Sequence, residues 1–284
     1  MRAVILDGIV LGLQFGQLGV GLTLVYGLGG VVNLAHGQMA VLAAIIASVL
    51  IGASVPTLLA AAIAILAAGL LGIGLDLTLM RPVYREKGDH RVLLGLLLML
   101  GVGFVIDGLL EWRYPIEALS LRIAGDPIPI LGLNMRRGSL VASAIILVVG
   151  LGLLLFFRAT TFGRATRSVI QDEQGAELCG INPSLVRTVI FGLSGALAGL
   201  VAITRSMSSP VESTDGVSLT IFALIVAVVG GLGSVTGAFL AGIILGIIST
   251  LTAFYIGTWV STVILLAAAG LTLVLRPRGL LGGS

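Results

Sequence analysis

The stretch VVNLAHGQMAVL, Val31 to Leu42, sets an Asn, a His and a Gln in the middle of a run that has no Asp, Glu, Lys or Arg from residue 8 to residue 75. A second uncharged run follows Asp215 and lasts until Arg276. At about 20 residues per crossing, each run is long enough to traverse a bilayer several times. Of the 284 residues, 57% are hydrophobic and 10% charged, where a soluble domain carries roughly a quarter charged residues. Mean hydropathy is +1.17. Such a chain is an integral membrane protein. Its 41 glycines and its aromatic content of only 5% suit close helix packing through small residues, not the girdled strands of a β-barrel. The expected fold is all-α: a polytopic transmembrane helical bundle, with discontinuous or re-entrant segments, forming one domain over residues 1–284.

Apolar runs occur near residues 9–31, 37–55, 57–79, 92–111, 139–157, 188–204, 218–232, 236–255 and 258–275. They predict about nine crossings, or eight if an early segment is re-entrant. Placing loops 81–91 and 158–187 and the tail after Arg276 in the cytoplasm puts ten of the sixteen Lys and Arg there, as the positive-inside tendency requires. The N-terminus is then outside and the C-terminus inside. The net charge of +3 belongs to those loops, so nucleic acid is not an expected partner. The N-terminal run lacks a small-x-small cleavage site and reads as a retained span. The single cysteine, Cys179, excludes an internal disulfide, and no Cys/His cluster has metal-ligand spacing.

A break at Asn33 to Gly37 frees backbone groups that lipid cannot satisfy, so it requires the bundle interior or the edge of a watery cavity. Two readings of Asn33, His36 and Gln38 stand side by side. They are interhelical glue, at about 0.6 kcal/mol per contact, or they steer a polar solute. A second segment, GGLGSVTGAFLAGIILGIIST from Gly230, shares the design of a polar or Gly-rich break feeding a small-residue helix. Paired breaks of this kind mark discontinuous helices around a central pathway, which makes Gly230, Gly231, Gly233 and Ser234 counterparts of Asn33, His36, Gly37 and Gln38. Asp76, Asp107 and Glu111 lie near span ends, where snorkelling or pairing with Arg81 or Arg113 is the expected arrangement.

The stretch FGRATRSVIQDEQGAELCGINPSLVR, Phe162 to Arg187, is too polar to cross. It predicts one short helix from about Arg164, stopped by Gly180 with Pro183 beyond. The order of Gly163, Arg164, Ala165, Arg167, Gln171, Asp172, Ala176, Gly180, Ile181 and Asn182 resembles the cytoplasmic loop of branched-chain amino acid ABC importer permeases. The resemblance extends in order to LTLVYGL from Leu22, NLAHG from Asn33, RPVYR from Arg81, SGALAGLVA from Ser194, AVVGGLGSVTGAFLAGIILG from Ala227 and RPRGLLG from Arg276. One departure stands out: that family usually has a carboxylate after the His-Gly pair, and this chain has the neutral Gln38.

The resemblance implies the membrane half of an importer in a bacterial cytoplasmic (inner) membrane. Its partners would be a second permease, two ATP-binding cassette subunits and an extracytoplasmic solute-binding protein. The chain has no Gly-x-x-x-x-Gly-Lys-Ser/Thr loop, so it binds no cofactor of its own, and ATP and Mg belong to the partner ATPase. Residues 164–181 would be a coupling helix, with Arg164, Arg167, Asp172 and Glu173 at its rim, Ala165, Val169 and Ala176 on a small apolar face, and Gln171 and Gly180 completing the motif. The solute path would run beside residues 33–38 and 230–237. The implied cargo is a branched-chain or related amino acid, with amides or urea also open. The rival class, a secondary transporter, needs a buried carboxylate or an ion site; an intramembrane enzyme needs a nucleophile and a base, and only His36 and scattered serines are available.

Overall fold

The computed structural model describes residues 1–86, 88–121, 123, 126–130, 133–276 and 278–281. Lys87, Arg122, Pro277 and Gly282 of the stretches above lie outside the described residues. In chain order the elements are α1 (Arg2–Gly29), α2 (His36–Gly52), α3 (Thr57–Leu75), a π-helical turn (Asp76–Met80), α4 (Arg81–Val83), α5 (Gly88–Arg113), β1 (Ala118–Leu119), β2 (Ile128–Ile130), β3 (Leu133–Met135) and α6 (Arg137–Ala159). There follow α7 (Thr161–Gln171), α8 (Glu173–Leu178), α9 (Pro183–Ser206), β4 (Val211–Glu212), α10 (Gly216–Gly230), α11 (Val235–Tyr255) and α12 (Thr258–Leu275).

Among the described residues, seven helices are long and apolar enough to cross a membrane, with α3, the π turn and α4 running on as one helix, Thr57–Val83. Each of the nine apolar runs in the sequence falls on a helix. The two that fall short are α2, with 17 residues, and α10, with 15. At 1.5 Å per residue they reach about 26 and 23 Å, less than the roughly 30 Å of hydrocarbon in a bilayer.

Local chemistry sets the helix ends. Pro183 opens α9 at a position that needs no N–H donor, while the Asn182 side chain accepts from Leu185 N at 3.1 Å. Thr160 caps α7 through Gly163 N at 3.1 Å, and Ser234 caps α11 through Gly237 N at 3.1 Å. The connections gather at two ends. At the loop end lie α7, α8, the C-terminus of α1 and the turn between α10 and α11. At the far end β1 pairs antiparallel with β4 (Ala118 with Glu212, Leu119 with Val211), and Ser48 of α2 donates to Glu117 at 2.7 Å.

The core has two seams of small residues. In one, α1 lies along α11, with Gly8, Gly12 and Gly16 set against Gly242 and Gly246. In the other, Ala68, Gly69 and Gly72 of α3 meet Gly192 and Gly195 of α9. Lipid is as apolar as leucine, so no hydrophobic drive brings these helices together, and close backbone approach with its dispersion contacts takes that place.

A Cβ at Gly12 would meet Ile243 Cα at 2.6 Å and Gly242 O at 2.8 Å, both backbone atoms, whereas one at Gly108 on the exposed side of α5 would meet nothing within 4 Å. The same substitution therefore has opposite signs at the two sites. Gly12→Ala is expected to destabilise the detergent-solubilised protein by about 1–3 kcal/mol. Gly108→Ala is expected to be neutral or stabilising by up to about 1 kcal/mol; paired thermal melts check both.

Candidate functional site

The polar break is a built junction. Helix α1 stops at Gly30, whose φ of 64° is the left-handed conformation glycine favours, and its N–H bonds back to Tyr26 O at 2.7 Å. The chain then runs without helix to His36. The Asn33 carboxamide oxygen accepts from Ala35 N at 3.0 Å and its backbone oxygen from His36 N at 3.3 Å, so Asn33 turns the chain into α2. His36 is fully buried against Gly21 of α1, with Nδ1 3.4 Å from Ser194 Oγ of α9.

The start of α2 meets the start of α10. Gly37 N donates to Thr220 Oγ1 at 2.9 Å, and the Thr220 hydroxyl divides its one proton between Gln38 Oε1 and Gly216 O, each at 3.1 Å. Gly37 lies so close to Gly216 O and Thr220 N that no Cβ fits between them. The other end of the Gln38 amide donates to Asp107 Oδ2 of α5 at 3.1 Å. Pairing of Asp107 with Arg113 is thus corrected: Arg113 stacks on Tyr114, 4.9 Å from the ring centre, and the one ion pair among the described residues lies elsewhere, between Arg187 and Glu173. Gln38 is neutral, and the carboxylate at this place comes from α5.

Gly230, Gly231, Gly233 and Ser234 sit at the other end of α10, about 20 Å away along the helix axis. The structure does not bring them to the Asn33–Gln38 junction. They form the turn into α11, where Gly231 (φ 104°) and Gly233 (φ 92°) supply positive dihedrals. The C-terminal tail is fastened there, with Leu280 N on Val229 O at 2.9 Å and Leu281 N on Gly230 O at 3.2 Å.

The loop of residues 158–187 holds two helices where the sequence suggested one. Asp172 (φ −153°, ψ 105°) interrupts them because its carboxylate caps the second, accepting from Gln174 N at 3.1 Å. Gly180, at φ 83°, ends α8 as expected. Val169 and Ala176 are buried against the bundle and Ala165 is partly so, which means the small apolar face turns inward. Arg164, Gln171 and Asp172 are exposed. Arg167 donates to Phe157 O, and Glu173 is paired with Arg187, so these two are engaged within the chain.

Arg187 gathers the loop end together. Besides its Glu173 partner, its Nε lies 3.4 Å from Leu28 O at the end of α1, and its guanidinium sits 4.4 Å from the centre of the Tyr84 ring. Arg91 of α5 covers the same ring at 5.0 Å. Next to it, Asp76 in the π turn is buried and accepts from Thr188 Oγ1 at 2.5 Å, which corrects the expected snorkelling or pairing with Arg81. The loop of residues 158–187 is thereby tied to α1, to the π turn of the α3 helix, to α5 and to α9.

The family described as branched-chain amino acid transport system / permease component matches residues 4–275. The chain belongs to this family. Among relatives of this permease family, the chain is 28% identical to the high-affinity branched-chain amino acid transport system permease protein BraD of Pseudomonas aeruginosa, covering 98% of this chain and 94% of that one. It is 26% identical to LivH of Escherichia coli, covering 97% and 94%, and 28% identical to a probable LivH of Methanocaldococcus jannaschii, covering 93% and 87%. A solved structure, PsaBC from Streptococcus pneumoniae in complex with Fab, is similar with a TM-score of 0.48 at 15% identity, covering 98% of this chain and 92% of that one.

Within this permease, Thr220, Ser194, Tyr84 and Arg187 carry contacts that the sequence pattern did not single out. Asp107 and Gln38 each had a signal, a carboxylate inside a span and an amide in the polar break, but nothing in the sequence joined the two across 69 positions.

Glu173 is half-exposed, so its bond to Arg187 is worth about 1 kcal/mol after solvent screening. Glu173→Gln is expected to speed amide hydrogen exchange over residues 161–178 severalfold and to leave the α1 and α11 seam unchanged. Equal protection of the loop in both proteins would contradict the tie.

Proposed function

We propose that this chain is the membrane-spanning permease subunit of an ABC importer that moves branched-chain or related amino acids. In this reading an extracytoplasmic binding protein delivers the solute, a second permease completes the pathway, and two ATP-binding cassette subunits hydrolyse ATP with Mg. The chain itself binds no nucleotide or metal. The loop end with α7 and α8 and the C-terminal tail face the cytoplasm of a bacterial cell, and the far end faces outward. Arg164, Ala165, Arg167, Gln171, Asp172, Glu173, Ala176 and Gly180 make up the coupling element.

The family match over nearly the full chain supports the class of function. The observation that carries the pathway is Asp107: a carboxylate within a span, with no basic group bonded to it among the described residues. A charge so placed has to face protein or water, because hydrocarbon would cost at least about 2.5 kcal/mol. Leu100, Phe104, Asp107 and Glu111 recur at helical spacing along α5, and Phe104 is 63% exposed. That face, with the starts of α2 and α10, is where the second permease and the solute path belong. Asn33, His36, Gly37 and Gln38 would then hold the middle of the path, and Gly230, Gly231, Gly233 and Ser234 would stand at its cytoplasmic end.

The test is reconstitution in liposomes with the partner permease, ATPase subunits and binding protein. Leucine uptake is expected to require ATP inside the ATPase compartment, and the Arg164, Arg167, Asp172 triple Ala variant is expected to lower uptake per ATP severalfold. Uptake by this chain alone on an ion gradient, without ATP, would assign it to secondary transport.

A further inference from the structure

We propose that Asp107, oriented by Gln38, is the counter-ion for the ammonium group of the transported solute, and that the cleft next to it receives the solute's aliphatic side chain. The inference rests on the importer reading and adds a residue-level account of selection. It separates an ammonium-bearing solute from the neutral amides and urea that the sequence leaves open.

The geometry is specific. The Gln38 amide is almost entirely buried and fixed at both ends, accepting from Thr220 Oγ1 and donating to Asp107 Oδ2, each at 3.1 Å. Asp107 therefore has one oxygen held in place. The other, Oδ1, lies over Gly216, where a Cβ would stand 2.8 Å from it, so the glycine leaves the carboxylate its room. Oδ1 is itself enclosed and has no hydrogen-bond partner among the described residues, so a solute's ammonium would meet the carboxylate at Oδ2, beside the Gln38 amide.

A cleft of about 160 Å³ opens beside Gln38 and reaches Gly103, one turn of α5 from Asp107; Leu34, Leu100, Phe104, Val217 and Ile221 line its apolar sides, with Gln38 and Thr220 as its polar wall. A polar end and a short apolar slot match a small molecule with a charged head and a branched hydrocarbon tail. Glu111, one turn along α5, is a second carboxylate, and none of the cleft-lining residues is basic. The local field therefore repels anions and favours a cation. Both an ammonium and a neutral amide can donate a charge-assisted hydrogen bond to the carboxylate, but only the ammonium carries a full charge that the two carboxylates attract in a site screened from water. The first turn of α10, at Gly216, presents the positive end of a helix to the Asp107 carboxylate, which favours its ionised form.

The experiment uses the complete assembly in liposomes, with leucine and urea as probes, and reads uptake together with ATP hydrolysis stimulated by the binding protein. Asp107→Asn keeps an oxygen for Gln38 and removes the charge. It is expected to lower leucine uptake per ATP about tenfold or more, with stimulated hydrolysis within about twofold of the original, and Asp107→Glu is expected to retain most uptake. In a second variant, Val217→Trp fills the exposed cleft and is expected to lower leucine uptake while hydrolysis persists. Unchanged uptake per ATP in Asp107→Asn overturns the proposal. So does urea uptake equal to that of leucine by the unaltered assembly. If Asp107→Asn does not assemble, unchanged leucine uptake in Val217→Trp overturns it instead. Failure of the importer reading looks different: the unaltered assembly would show no ATP-dependent uptake at all.

Discussion

A backbone that stops being helical inside a bilayer has N–H and C=O groups that hydrocarbon cannot bond, and each left open costs several kcal/mol. In this chain that constraint falls on the segment between Gly30 and His36, and the bundle is arranged to meet it. Asn33 bonds the turn, Gly37 N reaches Thr220 across to α10, and Val31, Asn33, Ala35 and His36 are wholly enclosed. Two short helices with their starts together make this possible: the first-turn N–H of Gly37 in α2 finds the Thr220 hydroxyl of α10, and that hydroxyl in turn finds the Gln38 amide oxygen of α2.

Enclosure of the junction requires helices that approach one another closely on every side. The small residues of α1, α3, α9 and α11 permit this, and the same bareness leaves few polar groups for ordering the bundle. Two networks stand out among them, the junction at Gln38 and the loop end at Arg187. The first is joined to the second by α1, whose last carbonyl groups meet Arg187 and whose end leads directly into the break. A displacement of the loop thus has a covalent route to the junction.

Much of the architecture was legible in the sequence because hydropathy and charge are additive along the chain: the nine apolar runs, the polar loop, and the stop at Gly180 with Pro183 beyond it. The exposed loop was misread as one helix, since the propensity of residues 164–178 favours continuity and only the local bond from Asp172 to Gln174 N interrupts it. The partner of the polar break was also beyond sequence reading. The segment at Gly230 looks like its counterpart in composition, yet the structure sets Gly216 and Thr220 there, residues with no mark of their own. Which groups meet in space is decided by helix packing, and packing through glycine and alanine leaves no pattern in hydropathy. Asp107 shows the same limit: its position inside a span was visible, and its bond to Gln38 was not.

The long seam between α1 and α11 also bears on how the protein is made. The first span emerges from the ribosome more than two hundred residues before its partner, and its glycine face has nothing to close on until that partner is inserted. Biogenesis is therefore held open from end to end: contacts within the middle of the chain form early, and the core closes only when the eleventh helix arrives. A nascent chain cut short before that point carries a first helix that is inserted in the membrane but unmated, a natural mark by which membrane quality control would tell an unfinished subunit from a completed one.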